Sequence, residues 1–546
     1  MASIRIIIAG GGFAGVKCAA VLRKLLDPSQ VEIILFNKEN HMVFHPLLAE
    51  VAGGSLNPDS VCAPLRQMLP GVQCRTEEVT RIDPAESRIE FESDQGGSED
   101  ISYDHLVIAC GAVVNLTMVP GMADHAFPLK TIGDALAVRS HVMQQLEKAE
   151  VCSDPERKRW YLSFVIIGGG YSGVETAGEI NDLVRGSLRY YSNISVQDLS
   201  VVLVHSRSQV LPEISSDLRE FAREKMGEAG INVMLNERAV VATPEGVRLK
   251  SGGMIRGGTL ICTIGTQMSP VIEKLNTPKE RGRLIADPDM RLQGQARIWA
   301  SGDCAWIIND FDGHVSAPTG QFAERQGKQI AHNIRRVLHG EQTQPFYHKA
   351  LGQLCSIGGH TAVAEMMGLR LSGFWAWFVW RGVYLMKLPS WSRRTKVGFD
   401  WAWQVVFQRD LTHLRTDQTE RVSHAFYEPG DYIILQGDPG TTFYIIEKGK
   451  VEVVRRDPDS NKDEVLAELG AGDFFGEMAL IDNRPRAAGV RALSSVEVVV
   501  IGRTVFDRIS SSLKPMKDII AEAVRERTAS LYKSEKTAVK RSRKKR

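Results

Sequence analysis

The chain has 546 residues, 43% hydrophobic and 24% charged, enough for three or four soluble globular domains with large cores. Its formal charge of +2 is uneven, because residues 533–546 hold eight Lys/Arg and one Glu; the remaining body is acidic, which argues against a nucleic-acid partner. The eight cysteines are scattered without a Cys-x-x-Cys pair, so neither a metal centre nor a disulfide framework is expected. No apolar run reaches the length of a membrane span, and the N-terminus carries no leader pattern.

In chain order, residues 4–9 predict a short buried strand ended by glycines, 15–25 a helix and 31–36 a second strand, which together make a βαβ unit. Residues 101–112 predict a further strand and turn. Residues 162–185 repeat the opening, with a strand at 162–167, glycines and a helix, and a strand at 200–204 completes a second βαβ unit. Apolar strands follow at 259–264 and 297–301, and a helix over 319–338. A Trp-rich stretch covers 372–407 and a polar linker follows it. From 422 to about 502 short strands alternate with Gly turns, an all-β signature, before a terminal helix and a basic tail.

The two glycine loops carry the chemistry. Gly10, Gly12 and Gly15 form one G-x-G-x-x-G, and Gly168, Gly170 and Gly173 the other. In each, the first glycine permits a tight turn, the second lets the backbone approach a pyrophosphate, and the third lets helix and strand pack closely. The helix N-terminus then offers N–H groups to the phosphates. The alternative is a pair of glycine turns with no ligand, but two loops in strand-turn-helix context favour two dinucleotides. Gly302 and Asp303 end the strand at 297–301. Asp303 suits a ribityl hydroxyl of FAD, or else caps a helix. The helix from about Thr319 can aim its N-terminus at a flavin.

The first 410 residues resemble the type II NADH dehydrogenases, single-subunit NADH:quinone oxidoreductases of the glutathione-reductase-like flavoproteins. The matching pieces are AGGGFAG, NHMVFHPLLAEVA (40–52), YDHLVIACGA (103–112), HAFPLKTIGDA (125–135), GGGYSGVETAGEI (168–180), SGDCA (301–305), GQFAERQG (320–327) and a segment over 356–385. The resemblance implies FAD held by Gly10, Gly12, Gly15, Asn37, Ala109, Gly111, Gly302 and Asp303. It implies a nicotinamide cofactor held by Gly168, Gly170, Gly173, His205, Arg207 and Gly265. It puts Glu175 near the nicotinamide–flavin contact, and Gln321 and Gln326 near a quinone, with Arg325 where the family has the first Gln of a pair. Read alone, both glutamines would be helix-surface residues.

Two positions depart from the usual acid at the end of the second strand. The first unit has Asn37, which can still hydrogen-bond a ribose hydroxyl. The second has His205, followed by Ser206 and Arg207. An acid there would bind the 2′-OH of NADH and repel a 2′-phosphate, whereas Arg207 can accept that phosphate; NADPH therefore stays open beside NADH, unless Arg207 merely faces solvent. No redox-active Cys pair follows the first helix, where the chain reads Phe44-His45-Pro46-Leu47-Leu48. A sulfide:quinone oxidoreductase is the competing reading and would need reactive cysteines, of which Cys355 is the best placed.

Trp375, Trp377, Trp380, Trp391, Trp401 and Trp403 are interleaved with Arg381, Lys387, Arg393, Arg394 and Lys396. This composition suits a membrane surface, or else an aromatic patch buried within the protein. Residues 422–515 resemble the cyclic-nucleotide-binding β-roll through FYEPGDYIILQGDPGTTFYIIEKGKVEVV (426–454) and FFGEMALIDNRPRAAGV (474–490). There Glu477 suits a ribose 2′-OH, and Arg486 with the N–H groups around Gly476 suits a cyclic phosphate. Pro485 helps to fix that segment, and Ala487 in place of a Thr hydroxyl leans toward cAMP. A β-roll kept only for docking is the alternative.

The expected fold is α/β, with two Rossmann-like dinucleotide-binding domains and a C-terminal all-β β-roll with flanking helices. The expected division is 1–115 with 291–340 for FAD, 116–290 for NAD(P)H, 341–410 for the membrane surface, a linker over 411–421, 422–515 for the cyclic nucleotide, and a helix and basic tail over 516–546. The expected function is a non-pumping NAD(P)H:quinone oxidoreductase, a homodimer on the cytoplasmic face of a membrane, regulated by cAMP. A cAMP sensor built on an oxidoreductase scaffold is the second class of reading.

Overall fold

A computed structural model describes residues 4–92, 98–407, 409–412, 423–438, 442–456, 463–481 and 486–502. Residues 413–421 of the expected linker, Pro485, the helix beyond 503 and the basic tail lie outside the described residues. The chain divides into two compact units. One comprises Met1–Leu116, Phe127–Arg238 and Thr259–His413; the other comprises Thr117–Ala126, Ala239–Gly258 and Leu414–Arg546.

The first unit opens with β1 (Ile4–Ala9), α1 (Phe13–Leu25), β2 (Val31–Phe36), β3 (Gln73–Arg75) and β4 (His105–Ile108). A second run follows, with β5 (Ser163–Ile167), α2 (Tyr171–Ser187), β6 (Ser200–Val204), β7 (Ile231–Met234) and β8 (Thr259–Cys262). Then come β9 (Ile298–Ala300), α3 (Gly320–Leu338), β10 (Gly352–Gly358), β11 (Thr361–Met366), β12 (Leu369–Ser372), α4 (Gly373–Lys387) and α5 (Trp391–Val406).

Two parallel sheets result. The first has the order β9–β4–β1–β2–β3, and the second contains β8–β5–β6–β7. Their central strands are apolar without alternation because both faces are covered, and Ile6, Ile7, Ile8, Phe164, Val165 and Ile166 are all fully buried. β10–β12 form an antiparallel sheet of three strands. Its Cys355, Ala362 and Val363 share one core with α2, α4 and α5. Sequence periodicity gave no sign of this sheet.

The second unit holds the β-roll. Its strands are β13 (Ser423–Tyr427), β14 (Tyr432–Ile434), β15 (Thr442–Lys448), β16 (Lys450–Arg456), β17 (Asp463–Gly470), β18 (Phe474–Phe475), β19 (Gly489–Ala492) and β20 (Val496–Gly502), with a short helix, α6 (Glu477–Ile481). They make two antiparallel sheets ordered β13–β20–β15–β18 and β14–β19–β16–β17. Among the described residues, the remainder of the unit is an antiparallel sheet of Ala239–Thr243, Gly246–Leu249 and Met254–Arg256 together with the 117–126 segment. Sequence reading assigned both of these pieces to the NAD(P)H domain. Arg248 of this sheet forms an ion pair with Asp431 of the β-roll, and the buried His125 ring lies 6.4 Å from that of Tyr427.

Candidate active site

Both glycine loops have the geometry their sequence implies. Gly10 and Gly168 adopt φ of +115° and +123°, a region that side chains disfavour. A Cβ at Gly15 would overlap the Gly10 carbonyl, and one at Gly173 the Gly168 carbonyl, so the strand and helix of each unit close tightly. At Gly12 and Gly170 a Cβ would meet no protein atom within 4 Å. Each loop therefore presents open space at a helix N-terminus, where a pyrophosphate fits.

The strand-end side chains support these loops in matching ways. Asn37 Oδ1 accepts the Gly11 N–H at 2.8 Å, and His205 Nδ1 accepts the Gly169 N–H at 3.0 Å. Asn37 Nδ2 also donates to the Glu39 carbonyl at 2.7 Å. Arg207 is exposed, two residues beyond His205.

On the FAD side, the Ala109 N–H donates to the Ala9 carbonyl and the Ser301 N–H to that of Ile108, which ties the ends of β1, β4 and β9 together. Gly302 turns the chain with φ +74°, and Asp303 follows it, half-buried. Gln326, buried on α3, accepts the Gly302 N–H through Oε1 at 2.8 Å. This bond across the fold was invisible in sequence. Gln321 Oε1 accepts the Leu351 N–H at 3.0 Å and lies 3.3 Å from His348 Nε2, while Arg325 is exposed. Thr319 caps α3, as its position suggested. Gly111 and Gly265 both take positive φ, and the Gly265 carbonyl accepts the Asn115 N–H at 2.9 Å.

Glu175 projects from α2 into a buried acid cluster. Its Oε1 accepts from the Ser356 N–H and from Trp380 Nε1, each at 3.3 Å. Burial pushes its carboxyl up to about 8; the two donors oppose this, and Glu50 and Glu179 add to it. Glu50, also fully enclosed, accepts from Trp401 Nε1 at 2.7 Å, and burial followed by Glu179 raises its pKa. Glu179 accepts from Ser55 Oγ at 2.6 Å and pairs with Arg409 at 3.1 Å; Arg409 also reaches Asp182 and the Gly53 carbonyl. Only Glu175 of this group was singled out from sequence. Acids at 50 and 179 inside apolar helical stretches were the available signal. Cys355 is fully enclosed, and burial and then Glu175 drive its thiol far above the usual range, which opposes a reactive thiolate.

The six clustered tryptophans divide by face. Trp380 and Trp401 are buried in the core and Trp377 is half-buried against it, whereas Trp375, Trp391 and Trp403 are exposed beside Phe374, Phe378, Met386 and Phe399. Among the described residues no helix is long and apolar enough to cross a membrane.

In the β-roll, Glu477 and Arg486 are both buried, and Gly476 takes φ +90°. Arg486 donates to the Gly476 and Thr442 carbonyls, each at 2.6 Å, and to Thr442 Oγ1 at 3.1 Å, so its guanidinium is held where β15 meets the start of α6. Ala487 is exposed next to it.

Three family models match the chain: pyridine nucleotide-disulphide oxidoreductase over residues 4–332, NDH2 C-terminal domain over 350–410, and cyclic nucleotide-binding domain over 424–512. The internal alternative NAD(P)H-ubiquinone oxidoreductase A1, mitochondrial, of Arabidopsis thaliana is 28% identical over 446 residues, covering 75% of this chain and 86% of its own. The type II NADH:quinone oxidoreductase of Staphylococcus aureus is 27% identical over 374 residues, covering 68% and 91%. The structure of NDH2 from Plasmodium falciparum in complex with NADH superposes with a TM-score of 0.71 at 21% identity, covering 75% of this chain and 100% of that one, a likeness of fold. Two nucleotide-fitted loops, a buried acid beside the second and a separate β-roll agree with these matches: the chain belongs to the pyridine nucleotide-disulphide oxidoreductase family, as an NDH2-type FAD-dependent oxidoreductase fused to a C-terminal cyclic nucleotide-binding domain.

Proposed function

We propose that the protein is a peripheral NAD(P)H:quinone oxidoreductase whose activity responds to cAMP. The observation that carries the redox half is the pair of glycine loops, each with its middle glycine open and its strand-end side chain accepting the loop N–H. FAD, when bound, supplies the hydride acceptor and passes two electrons onward. The residues of the chain do the rest. Asn37 and Asp303 address hydroxyls of the flavin nucleotide, and Gln326 fixes the Gly302–Asp303 turn. At neutral pH Glu175 holds a proton; its Oε1 is taken by two N–H donors, so Oε2 carries it. That is a proton store for a reaction that must protonate a quinone. Gln321 and Gln326 on α3 are the residues we assign to the quinone side.

The exposed aromatic face of α4 and α5, with Lys387, Arg393, Arg394 and Lys396 alongside, favours binding at a headgroup layer, where a hydrophobic quinone resides. We further propose that it is a homodimer on the cytoplasmic face of that membrane. Buried Glu477 and Arg486 support a cyclic phosphate and ribose as the β-roll ligand.

Anaerobic addition of NADH to the purified holoprotein is expected to bleach the flavin absorbance, and a soluble quinone to restore it. Bleaching without restoration would leave a dehydrogenase with a different acceptor. Calorimetry is expected to show cAMP binding that Arg486→Ala abolishes; a wild-type protein that ignores cAMP would reduce the β-roll to a docking module.

A further inference from the structure

We infer that the cavity beside the C-terminal half of α2 is a binding site for the phosphate headgroup of an anionic phospholipid. That the phosphate comes from a lipid rests on the membrane-surface reading of α4 and α5.

The cavity has a volume of about 370 Å³, within the range of small-molecule sites, and its lining lies wholly in the first unit. Its walls come from α2, the β10–β11 turn, α4, α5 and the segment after α5. No residue of either glycine loop lines it.

Four arginines line this space, Arg185, Arg189, Arg381 and Arg409, against two carboxylates, Glu179 and Asp182. Arg409 takes both acids: it stands 3.1 Å from Glu179 and 3.5 Å from Asp182. Asp182 also accepts the Gly359 N–H at 2.7 Å. Arg185 donates to Asn181 Oδ1 and to the Gly230 carbonyl, and exposed Arg189 donates to the Gly186 carbonyl. Neither pairs with an acid among the described residues, so both bring uncompensated charge and spare N–H groups to the cavity.

Arg381 carries the argument furthest. Its guanidinium lies between two indoles, 4.0 Å from the ring centroid of Trp377 and 4.7 Å from that of Trp401. Such a stack fixes the plane of the group but leaves its N–H donors unused. Arg381 makes no hydrogen bond and no ion pair with any described residue. Burial lowers its pKa, and Glu50 and Glu179 counter this from beyond ion-pair distance. Glu50 is itself driven towards the neutral acid by burial, and Glu179 is held by Arg409. An enclosed guanidinium without an acceptor in its own chain is completed by one from a ligand. Phosphate oxygens match its fork of donors, and Arg185 and Arg189 share the charge.

The mouth of the cavity favours a lipid over a free ion. Trp377 and Phe407 belong to the lining. The Phe374 ring lies 5.6 Å from that of Trp377, and Trp403 stacks on Phe407 at 4.0 Å. Phe374, Trp403 and Phe407 are exposed, so the aromatic face of α4 and α5 continues up to the opening. A headgroup can enter among the arginines while its acyl chains stay on that face.

Short-chain lipids below their micelle concentration separate the headgroup from the bilayer. Calorimetry on the full-length holoprotein is expected to show dihexanoyl-phosphatidylglycerol binding about tenfold tighter than dihexanoyl-phosphatidylcholine or inorganic phosphate. Arg381→Gln should weaken the phosphatidylglycerol complex about tenfold. Where loss of the stacked guanidinium lowers the melting temperature, Arg189→Glu tests the same cavity from an exposed position, again with a loss of about tenfold. Inorganic phosphate binding as tightly as phosphatidylglycerol overturns the lipid assignment and leaves a phosphate-ion site. Equal affinity for the two lipids, or phosphatidylglycerol binding unmoved by both substitutions, overturns the proposal. Sedimentation with vesicles of equimolar phosphatidylcholine and phosphatidylglycerol checks the membrane-surface reading separately. Protein that stays in solution there removes that reading, and the short-chain titration still decides the site.

Discussion

Glu175 and Glu50 show how a few buried carboxyls set the pH response of this protein. An unfolded glutamate ionises near 4.5, whereas burial moves Glu175 to about 8. Between those values the folded chain holds a proton that the unfolded chain has released, so stability falls as pH rises, by at most about 1.4 kcal/mol per pH unit for one such group. Above about pH 8 the loss is complete and constant. Glu175→Gln keeps the acceptor for Trp380 and the Ser356 N–H without the charge, so its melting temperature should vary less with pH between 5 and 8 than that of the wild type. The same substitution should slow quinone-coupled turnover by tenfold or more if Glu175 supplies a proton; unchanged turnover would leave it a structural acid. At this scale the sequence was legible where residues are close along the chain. Asn37 and His205 were found by their offset from the glycine loops. The bonds from Gln326 to Gly302 and from Arg409 to Glu179 span 24 and 230 residues, and nothing in local pattern announces such pairs.

At the scale of elements, helix α3 crosses α1 at Gly327, where a Cβ would overlap the Ala14 carbonyl. The helices can approach only because position 327 lacks a side chain, and α3 also bears Gln326 and the Thr319 cap. Gly327→Ala is therefore expected to separate the helices, destabilise the fold by about 1–3 kcal/mol and weaken FAD retention. A thermal melt with flavin fluorescence as the readout should show both effects; a melt like that of wild type would mean that the crossing relaxes easily. The buried strands β1, β2, β5 and β6 were readable from sequence because they are short, largely apolar runs, with glycines ending β1 and β5 and polar residues, Asn37 and His205, ending β2 and β6. β10–β12 and the 239–256 sheet were not. Several of their residues face solvent, and Gly-rich turns among polar residues look the same as loops. The exposed face of α4 and α5 also belongs to this scale. Vesicles with anionic lipid should co-sediment the wild type, and replacing Trp375, Trp391 and Trp403 with Ser should release it, since none of the three is buried in the core.

In the whole molecule the β-roll is not self-contained. Its unit includes the 117–126 segment and the 239–258 sheet, joined through the Arg248–Asp431 pair and the packing of His125 on Tyr427. Asp431 is mostly enclosed, and its other oxygen accepts the Glu428 N–H at 3.0 Å, so Arg248→Ala strands a carboxylate. The expected loss is about 1–2 kcal/mol within this unit, less than for a fully buried pair because Arg248 is partly exposed. Hydrogen exchange should quicken in β13, in β14 and at 239–256, while β1 and β5 keep their protection; a change spread evenly over the chain would contradict this division. Domain boundaries drawn from motif positions alone missed the arrangement, because motifs mark where ligands bind and not which faces are covered.

The joining of those three segments has a consequence for biosynthesis. Residues 117–126 and 239–258 leave the ribosome long before 424–502 exist. For the interval needed to translate the intervening stretch, the nascent oxidoreductase must carry uncovered the surface that the β-roll will later cover. A ribosome-bound chain halted near residue 420 should therefore recruit a holdase chaperone, whereas one halted beyond the end of the β-roll should not. Cutting the gene at the linker would make that passing state permanent, so a shortened enzyme is expected to be less soluble even with both dinucleotide sites intact.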